Sequence, residues 1–121
     1  MQYMLLIYDD EDVWRSMPED ERNTVMGEYF AYTEALKSAG KHVAGDALQP
    51  TATAKSLRVR DGDVATTDGP FAETKEALGG YYLVDVESED EALEWAAKIP
   101  SARYGTIEVR PVVVFPVEST A

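Results

Sequence analysis

Near its start the chain reads Tyr3-Met4-Leu5-Leu6-Ile7-Tyr8, six consecutive apolar or aromatic residues. A run of this length is typical of a β-strand that is buried on both faces, and it is short for a helix. A second strongly β-prone run, 81–86, has the same two-sided character. The sequence therefore predicts a sheet with apolar side chains on both of its surfaces.

Two helices are predicted between groups of strands. The first covers 18–39, where a proline and three acidic residues start an apolar stripe at helical spacing, and Gly40 provides a stop signal. The second begins after Ser88, which with Glu91 forms a capping box, and it ends before Pro100. The two helices are separated by several strands, which is typical of an α+β protein.

The remaining strands are shorter. Alternating residues over 55–60, the turn signal Asp61-Gly62 and a return strand over 64–67 predict a β-hairpin. Further strands are predicted over 43–48 and 106–109. The acidic run 9–12 is interpreted as a solvated loop, with a cation site as the weaker alternative. This order of elements predicts a ferredoxin-like α+β sandwich, an antiparallel sheet with two helices on one face.

Two helices cover only one face of such a sheet, so the second apolar face needs another cover. Several hundred square ångströms of apolar surface, at roughly 25 cal/mol per Å², give a driving force on the order of 10 kcal/mol before the cost of association. We therefore expect a second copy of the chain to cover this face, as a two-fold homodimer with a cleft between the two sheets.

Composition excludes several classes of function. The 121 residues suit one domain, and 11 basic against 23 acidic residues give a net charge of −12. Such a charge repels nucleic acid and anionic lipid, and the densest basic cluster is only Arg58 and Arg60, so neither partner is predicted. Cysteine is absent, which excludes disulfides and thiolate metal sites, and His42 is the single histidine. With no long apolar run and no basic leader, a cytoplasmic protein is expected.

The most distinctive segment is Thr67-Asp68-Gly69-Pro70-Phe71-Ala72-Glu73-Thr74-Lys75-Glu76. Its residue types alone fit a rigid connection in which Asp68 caps backbone donors and Phe71 fills the core. The segment also resembles the DGPF motif of the YCII-related family. The first strand, the stretch Ala47–Ala54, the stretch Leu78–Leu83 and the stretch Glu108–Pro111 resemble that family too. The resemblance covers 1–115 as a single domain and leaves 116–121 as a C-terminal tail.

The resemblance implies a ferredoxin-like fold and a homodimer whose sheets pack face to face, the dimeric α/β-barrel arrangement. Some DGPF proteins are associated with sigma factors of the extracytoplasmic-function type, so association with a sigma factor is implied by resemblance only. A distant relative removes chloride from a chlorinated hydroxyhydroquinone, and a His–Asp site has been proposed for the family. This chain departs from that pattern, since Tyr8-Asp9-Asp10 stands where the relatives have histidine, and His42 is expected at the end of the first helix.

A ligand site is predicted in the cleft between the two sheets. Strand alternation aims Arg58 and Arg110 away from the helices, and arginine is a bidentate partner for carboxylate. Tyr8, Phe71 and either Tyr81 or Tyr82 would supply aromatic walls, which together suit a small anionic or phenolic molecule. The alternative is that the arginines pair with glutamate across strands or lie in solvent.

Two classes of function remain open. The first is a binding or regulatory module that uses this cleft. The second is a lyase or isomerase in which Asp68, held by Gly69 and Pro70, acts as general acid or base. A third possibility is a dimer whose cleft is packed solid with side chains. No cofactor or metal is predicted, because no phosphate-binding loop or ligand cluster accompanies Asp68.

Overall fold

A computed structural model describes residues 1–116 of the chain; 117–121, most of the predicted tail, lie outside the described residues. Within 1–116 there are six strands and three helices. In chain order they are β1 Gln2–Asp9, α1 Glu11–Ser16, α2 Glu19–Ser38, β2 His42–Ala47, β3 Lys55–Arg60, β4 Asp63–Asp68, β5 Ala77–Asp85, α3 Glu89–Ala97 and β6 Thr106–Pro111, with short 3₁₀ turns at Thr51–Thr53 and Pro100–Arg103.

Four strands form the main sheet in the order β2-β5-β1-β6, and all three neighbouring pairs are antiparallel. β3 and β4 form a separate two-stranded sheet. The predicted α+β class and antiparallel sheet are confirmed. The order of the four main strands is consistent with a ferredoxin-like fold into which the hairpin is inserted between β2 and β5.

The core lies between the main sheet and the helices. Alternate residues of β1, namely Tyr3, Leu5 and Ile7, are buried, and Leu5 lies opposite Tyr82 of β5. Helix α2 adds Tyr32, whose hydroxyl donates to the carbonyl of Trp95 at 2.9 Å. This polar tip is therefore satisfied while its ring packs edge-on against Tyr82, with centroids 5.1 Å apart.

The opposite surface of the main sheet carries the other alternate side chains, and we call it the open face. Met4 lies opposite Leu83, and Leu6 lies opposite Tyr81. All four are only half-buried, in contrast to their neighbours on the helix side. The two-sided apolar pattern predicted for β1 and β5 is thus present in the sheet.

The acidic run 9–12 is not a loop, which corrects one prediction. Asp9 ends β1, and Asp10 caps the additional helix α1 by accepting a hydrogen bond from the Asp12 amide at 3.0 Å. Acidic residues at the start of a helix complement its dipole, so the same composition that suits a solvated loop also suits a helix N-terminus. Residues 1–116 consequently contain three helices in place of two.

The predicted helix ends are close to those observed. Pro18 lies just before α2, and Gly40 has a φ of 73° and closes the helix, with the Lys41 amide donating to the Leu36 carbonyl. Because the chain reverses at Gly40, His42 begins β2; the expectation that His42 ends the helix is wrong. At α3, Ser88 accepts from the Glu91 amide, which confirms that residue as the cap.

The hairpin of β3 and β4 is confirmed with its turn. Asp61 and Gly62 have φ values of 52° and 81°, as a tight two-residue hairpin turn requires. Its register pairs Val59 with Val64 and Leu57 with Thr66. Unlike the strands of the main sheet, this hairpin leaves nearly all of its side chains exposed.

Candidate functional site

Three of the predicted site residues lie on the hairpin or just after it. Asp68 ends β4, is largely exposed and forms an ion pair with Lys55. Arg58 is exposed on β3. Phe71 is 82 % exposed, so it does not fill the core. The rigid-connection interpretation of this segment is therefore wrong for Phe71, and Asp68 meets a lysine ammonium in place of backbone donors.

Two further predicted residues, Tyr8 and Arg110, meet at Glu108. The Tyr8 hydroxyl donates to Glu108 Oε1 at 3.3 Å, and Arg110 donates to Glu108 Oε2 at 2.8 Å. The guanidinium of Arg110 lowers the pKa of Glu108, first through this hydrogen bond and then through its charge. Arg110 is thus paired with a glutamate of its own strand, β6, and not across strands as the alternative interpretation has it.

Tyr82 lies on the helix side of the sheet, whereas the predicted cleft requires it on the open face. It is 8 % exposed, faces the helices and shares a 2.7 Å hydrogen bond with the Thr33 hydroxyl of α2. The reason is its register, since Tyr82 lies opposite the buried Leu5 while Tyr81 lies opposite Leu6 of the open face. Tyr82 therefore lines a cavity inside the chain and not a cleft between sheets.

This cavity, which we call the α2 cavity, has a volume of about 430 Å³. It lies between the helix side of the sheet, helices α1 and α2, and the segment that follows β2. Its size is within the usual range for small-molecule sites. The residues that line it are Ile7, Asp9, Glu11, Trp14, Arg15, Met26, Tyr29, Thr33, His42, Gly45, Asp46, Ala47, Leu48, Gln49, Pro50, Gly79, Gly80, Tyr81, Tyr82, Ser101 and Tyr104.

Asp9 is the carboxylate at the end of β1 in this cavity. Burial is the main cause that raises its pKa, and the nearby charges of Glu11, Glu76 and Asp10 raise it further. Burial of a carboxyl group disfavours its charged form, and neighbouring carboxylates act in the same direction. Asp9 is thus a carboxyl group whose proton is held more tightly than in water.

Two glycines make room for Asp9. A bulge interrupts the pairing of β1 with β5 at Ile7 and Tyr8, and Gly79 lies there. A Cβ atom at Gly79 would be 3.3 Å from Asp9 Oδ1, and one at Gly105 would clash with the Tyr8 carbonyl oxygen. Side chains at these two positions would therefore displace the end of β1 that carries the carboxylate.

Neutral hydroxyl groups form another part of the cavity wall. The hydroxyls of Tyr29 and Ser101 are hydrogen-bonded, and Ser101 also donates to the Tyr104 hydroxyl at 3.5 Å. Burial raises the pKa of Tyr29 to about 12, so its hydroxyl stays protonated near neutral pH. These hydroxyls can donate to or accept from a polar ligand without carrying charge.

The charge balance of the cavity is acidic. Asp9, Glu11 and Asp46 line it, whereas its one arginine, Arg15, is paired with Asp12. Glu11 accepts from the amide and hydroxyl of Thr51, at 2.8 and 2.5 Å, and these bonds lower its pKa. Glu11 is accordingly ionised, and the cavity disfavours an anionic ligand.

A second, more polar concavity of about 490 Å³ lies between α1 and the segment that contains the distinctive motif. Gly69, Pro70 and Glu73 line it from the motif side. Glu11 lines both concavities, so α1 separates them. No motif residue lines the α2 cavity, but the charge of Glu76, the last residue of the motif, acts on Asp9 in that cavity.

Comparison with known proteins agrees with the resemblance seen in the sequence. The model of the YCII-related domain matches residues 1–116. The chain belongs to the YCII-related family. It is also 40 % identical, over 117 residues, to an uncharacterized protein of Rhizobium meliloti (strain 1021), a match that covers 95 % of this chain and 94 % of that protein.

Two broader features of the described chain bear on its chemistry. Among residues 1–116, none of the helices combines the length and apolar character that crossing a membrane demands. Within the same residues, the structure does not bring together three or more histidine, aspartate or glutamate side chains as a metal site would require.

Sequence reasoning missed the most important residues of the α2 cavity. Asp9 is one of four consecutive acidic residues, and nothing in the sequence distinguishes it from the others. Tyr29, Ser101 and Tyr104 come from elements far apart in the chain. The one available signal was the pair Gly79-Gly80, for which the sequence predicts a bend at the entry to a strand. Glycine within a strand often marks a bulge or a close approach, and here it marks the position of Asp9.

Proposed function

We propose that this chain is a small-molecule-binding protein whose site is the α2 cavity and whose ligand is a neutral, hydroxylated aromatic compound. The observation that carries the proposal is the partly buried carboxyl group of Asp9 in a cavity whose wall includes Trp14, Tyr29, Tyr82 and Tyr104. A concave, mainly apolar site with a few convergent polar groups is the usual form of a ligand site.

The cavity supports a phenol more than a carboxylate. A phenolic hydroxyl can donate to Asp9, and the hydroxyls of Tyr29 and Tyr104 can bond a second polar substituent. Trp14 and Tyr82 provide aromatic surface for the ring. An anion would instead meet the ionised Glu11. The phenolic part of the sequence-based expectation is thus retained, while its place moves from a cleft between sheets to a cavity within one chain.

The second part of the proposal is that the protein is a cytoplasmic homodimer in the dimeric α/β-barrel arrangement. The half-buried side chains of Met4, Leu6 and Leu83 on the open face support it. Packing this face against a second copy would remove apolar area from water, which favours association. The α2 cavity lies on the other side of the sheet, so ligand binding and dimerisation can be tested separately.

Proton transfer at Asp9 is a second candidate function. Its raised pKa favours this residue over Asp68 as a general acid or base, because Asp68 is exposed and paired with Lys55. A raised carboxyl pKa brings a group closer to the pH at which it can both accept and release a proton. The lyase or isomerase alternative therefore moves to Asp9.

Binding of catechol, phenol and benzoate, followed by the fluorescence of Trp14 in a Trp95→Phe background, tests the proposal. We expect catechol to bind best and benzoate worst, and Asp9→Asn to weaken catechol binding by about tenfold, as loss of a hydrogen bond to a charged group does. Asp63→Asn, the same change on the exposed hairpin, is the matched control. Equal affinity for benzoate and catechol, or no effect of Asp9→Asn, would overturn the proposed site.

The same samples distinguish binding from catalysis. If Asp9 transfers protons, incubation of the wild type with a bound phenol should produce a changed compound, and the Asp9→Asn variant should not. Recovery of unchanged catechol with wild-type protein would support the binding module. Chromatography of the incubated compound is the measurement.

A further inference from the structure

Helix α1 differs from the other two helices in having no buried residue. It has only six residues, and a helix of this length is not stable by itself in water, so contacts with the rest of the chain keep it in place. Glu11 and Trp14, both half-buried, are three positions apart and lie on one face of the helix, and both line the α2 cavity. Helix α1 thus forms a wall of the cavity without being part of the core.

Two hydrogen bonds hold α1 against the 3₁₀ turn that follows β2. Glu11 Oε2 accepts from the Thr51 amide at 2.8 Å, and Glu11 Oε1 accepts from the Thr51 hydroxyl at 2.5 Å. We call these two bonds the Glu11 latch. Across residues 1–116, no other hydrogen bond joins a side chain of α1 to a different element, since Arg15 is paired with Asp12 of the same helix. The position of α1 therefore depends largely on one carboxylate.

Both ends of α1 have extended backbone about which the helix can turn. Asp10, just before it, has φ −84° and ψ 115°, and Met17, just after it, has φ −73° and ψ 134°. Pro18 restricts Met17 to extended backbone, as proline does to any residue that precedes it, so α1 cannot continue into α2. Backbone rotation at a few residues that end an element is the usual way in which a lid moves. The short helix is thus a unit with a hinge at each end.

The Glu11 latch lies at the boundary between the two concavities of the chain. Glu11 lines both of them, Pro50 lines the α2 cavity, and the next residue, Thr51, lines the more polar concavity beside the distinctive motif. We call the latter the motif-side concavity. A movement of α1 away from Thr51 would join the two concavities into one passage.

Charge repulsion acts against the Glu11 latch. The hydrogen bonds from Thr51 lower the pKa of Glu11, so this carboxylate is ionised at neutral pH. Its charge acts on Asp9, whose pKa it helps to raise. Movement of Glu11 away from Asp9 would relieve this repulsion and offset part of the loss of the two hydrogen bonds. The closed and open positions of α1 therefore differ less in free energy than the two bonds alone imply.

We propose that α1 is a lid of the α2 cavity, that the Glu11 latch holds it closed, and that a ligand enters from the motif-side concavity when the latch opens. The ligand in this inference is that of the proposed function, whereas the movement of α1 is a property of the chain alone. The inference also gives the distinctive motif a role, because Gly69, Pro70 and Glu73 then border the entrance of the site.

Amide hydrogen exchange at position 51 measures opening of the latch without any ligand. The Thr51 amide donates to Glu11, whereas the Thr53 amide donates to the Pro50 carbonyl at 2.9 Å, within the turn. Thr51→Val removes the hydroxyl bond and keeps the amide. We expect it to raise exchange at position 51 about tenfold, relative to an unstructured peptide of the same sequence, because a hydrogen bond to a charged group is lost. Exchange at position 53 should stay nearly constant in the same NMR measurement.

Thr53→Val is the matched control, because the Thr53 hydroxyl donates to the Pro50 carbonyl at 2.7 Å and not to a residue of α1. It should leave exchange at position 51 unchanged. Glu11→Gln is the second latch variant, since it keeps the size of the side chain, removes its charge and should also raise exchange at position 51. If both latch variants exchange like the wild type, or if Thr53→Val has the same effect as Thr51→Val, the lid is overturned and α1 is a fixed wall.

Stopped-flow binding of catechol, followed by the fluorescence of Trp14 in the Trp95→Phe background, tests the entrance. A lid that controls entry changes association and dissociation by the same factor, so Thr51→Val should raise both rate constants about tenfold and leave the Kd nearly constant. Ala72→Phe adds a ring to the wall of the motif-side concavity and should slow both steps, whereas Ala65→Phe, on the exposed hairpin, is its control. A Kd that rises at constant association rate, or equal rates in the two phenylalanine variants, would overturn this route of entry.

Failure of the lid and failure of the proposed ligand give different results. If catechol binds to none of the variants, the proposed ligand is wrong, and exchange at position 51 still decides whether α1 opens. Acrylamide quenching of Trp14 then replaces catechol as the probe of the entrance, and Ala72→Phe should reduce it more than Ala65→Phe does. If catechol binds but both latch variants leave amide exchange and binding rates unchanged, the proposed function stands and the lid is overturned.

Discussion

The β1–β5 pair of the main sheet and the β3–β4 hairpin are both antiparallel strand pairs that carry an apolar face. In the first, the side chain of Leu5 is completely buried under the helices, whereas in the second Leu57 is 61 % exposed. Alternation thus defines a strand and its apolar face, but only the neighbouring elements decide whether that face contributes to stability within one chain.

The largest effect that separates the two regions is expected from removing one leucine in each. Leu5→Ala opens a cavity in the core, and we expect it to lower the free energy of unfolding by about 2–5 kcal/mol. Leu57→Ala removes a side chain that is mostly in solvent, and should change it by less than about 0.5 kcal/mol in the monomer. Denaturant unfolding followed by circular dichroism measures both.

Protein concentration should affect the two leucine variants differently. If a second copy covers the hairpin, the cost of Leu57→Ala should grow as the protein is concentrated, since association stabilises the folded state by mass action. The cost of Leu5→Ala should stay nearly constant. A Leu57→Ala variant as damaging as Leu5→Ala in dilute solution would show that the hairpin is part of the core of one chain.

The same contrast explains how far the sequence predicts the fold. The strand at 3–8, the capping box at Ser88 and the Asp61-Gly62 turn were predicted correctly because each depends on neighbours within a few residues. The side of the sheet on which Tyr82 lies depends on its register with Leu5, 77 positions earlier in the chain. A pattern that is apolar on both faces leaves that choice open.

Two glycines offer the next comparison, one in each region. Gly105 packs against the end of β1, where a methyl group would clash with the Tyr8 carbonyl oxygen, and we expect Gly105→Ala to cost about 1–3 kcal/mol. Gly62 has open space around it but a φ of 81°. Gly62→Ala should therefore lower the free energy of unfolding by only about 1 kcal/mol, because of backbone strain. Thermal unfolding gives the rank order.

Hydrogen exchange locates these two effects. Gly105→Ala should speed the exchange of amides in β1 and β5, because it displaces the paired end of β1. Gly62→Ala should affect only amides of the hairpin. If the two variants loosen the same amides, the hairpin and the main sheet unfold as one unit and the distinction between the regions fails.

The candidate site was harder to predict than the fold, for a physical reason. Asp9 gains its raised pKa from burial and from Glu11, Glu76 and Asp10, and Glu76 is 67 positions away in the chain. Its place also depends on Gly79 and on Gly105, which no local pattern connects with β1. Asp68, in contrast, stood in a distinctive motif, yet it lies in solvent beside Lys55.

The smallest expected effect is the pH dependence of stability, which differs between the carboxyl groups of Asp9 and Asp68. The pKa of Asp9 is raised in the folded state above its usual value of 3.8, so the folded chain binds this proton more tightly than the unfolded chain does. The resulting stabilisation is fully present below pH 3.8 and is lost as the pH rises through the raised pKa. Asp9→Asn removes the titration, so the variant should gain stability relative to the wild type over that rise.

Unfolding free energies of the wild type and Asp9→Asn, measured in urea from acid to neutral pH, give the difference directly. Asp68→Asn is the matched control, and since it removes only an exposed ion pair, it should change stability by no more than about 1 kcal/mol at neutral pH. If Asp9→Asn instead loses stability relative to the wild type as the pH rises, the folded chain stabilises the charged carboxylate. The α2 cavity would then be a polar, hydrated site, and a phenol would have no reason to prefer it to solvent.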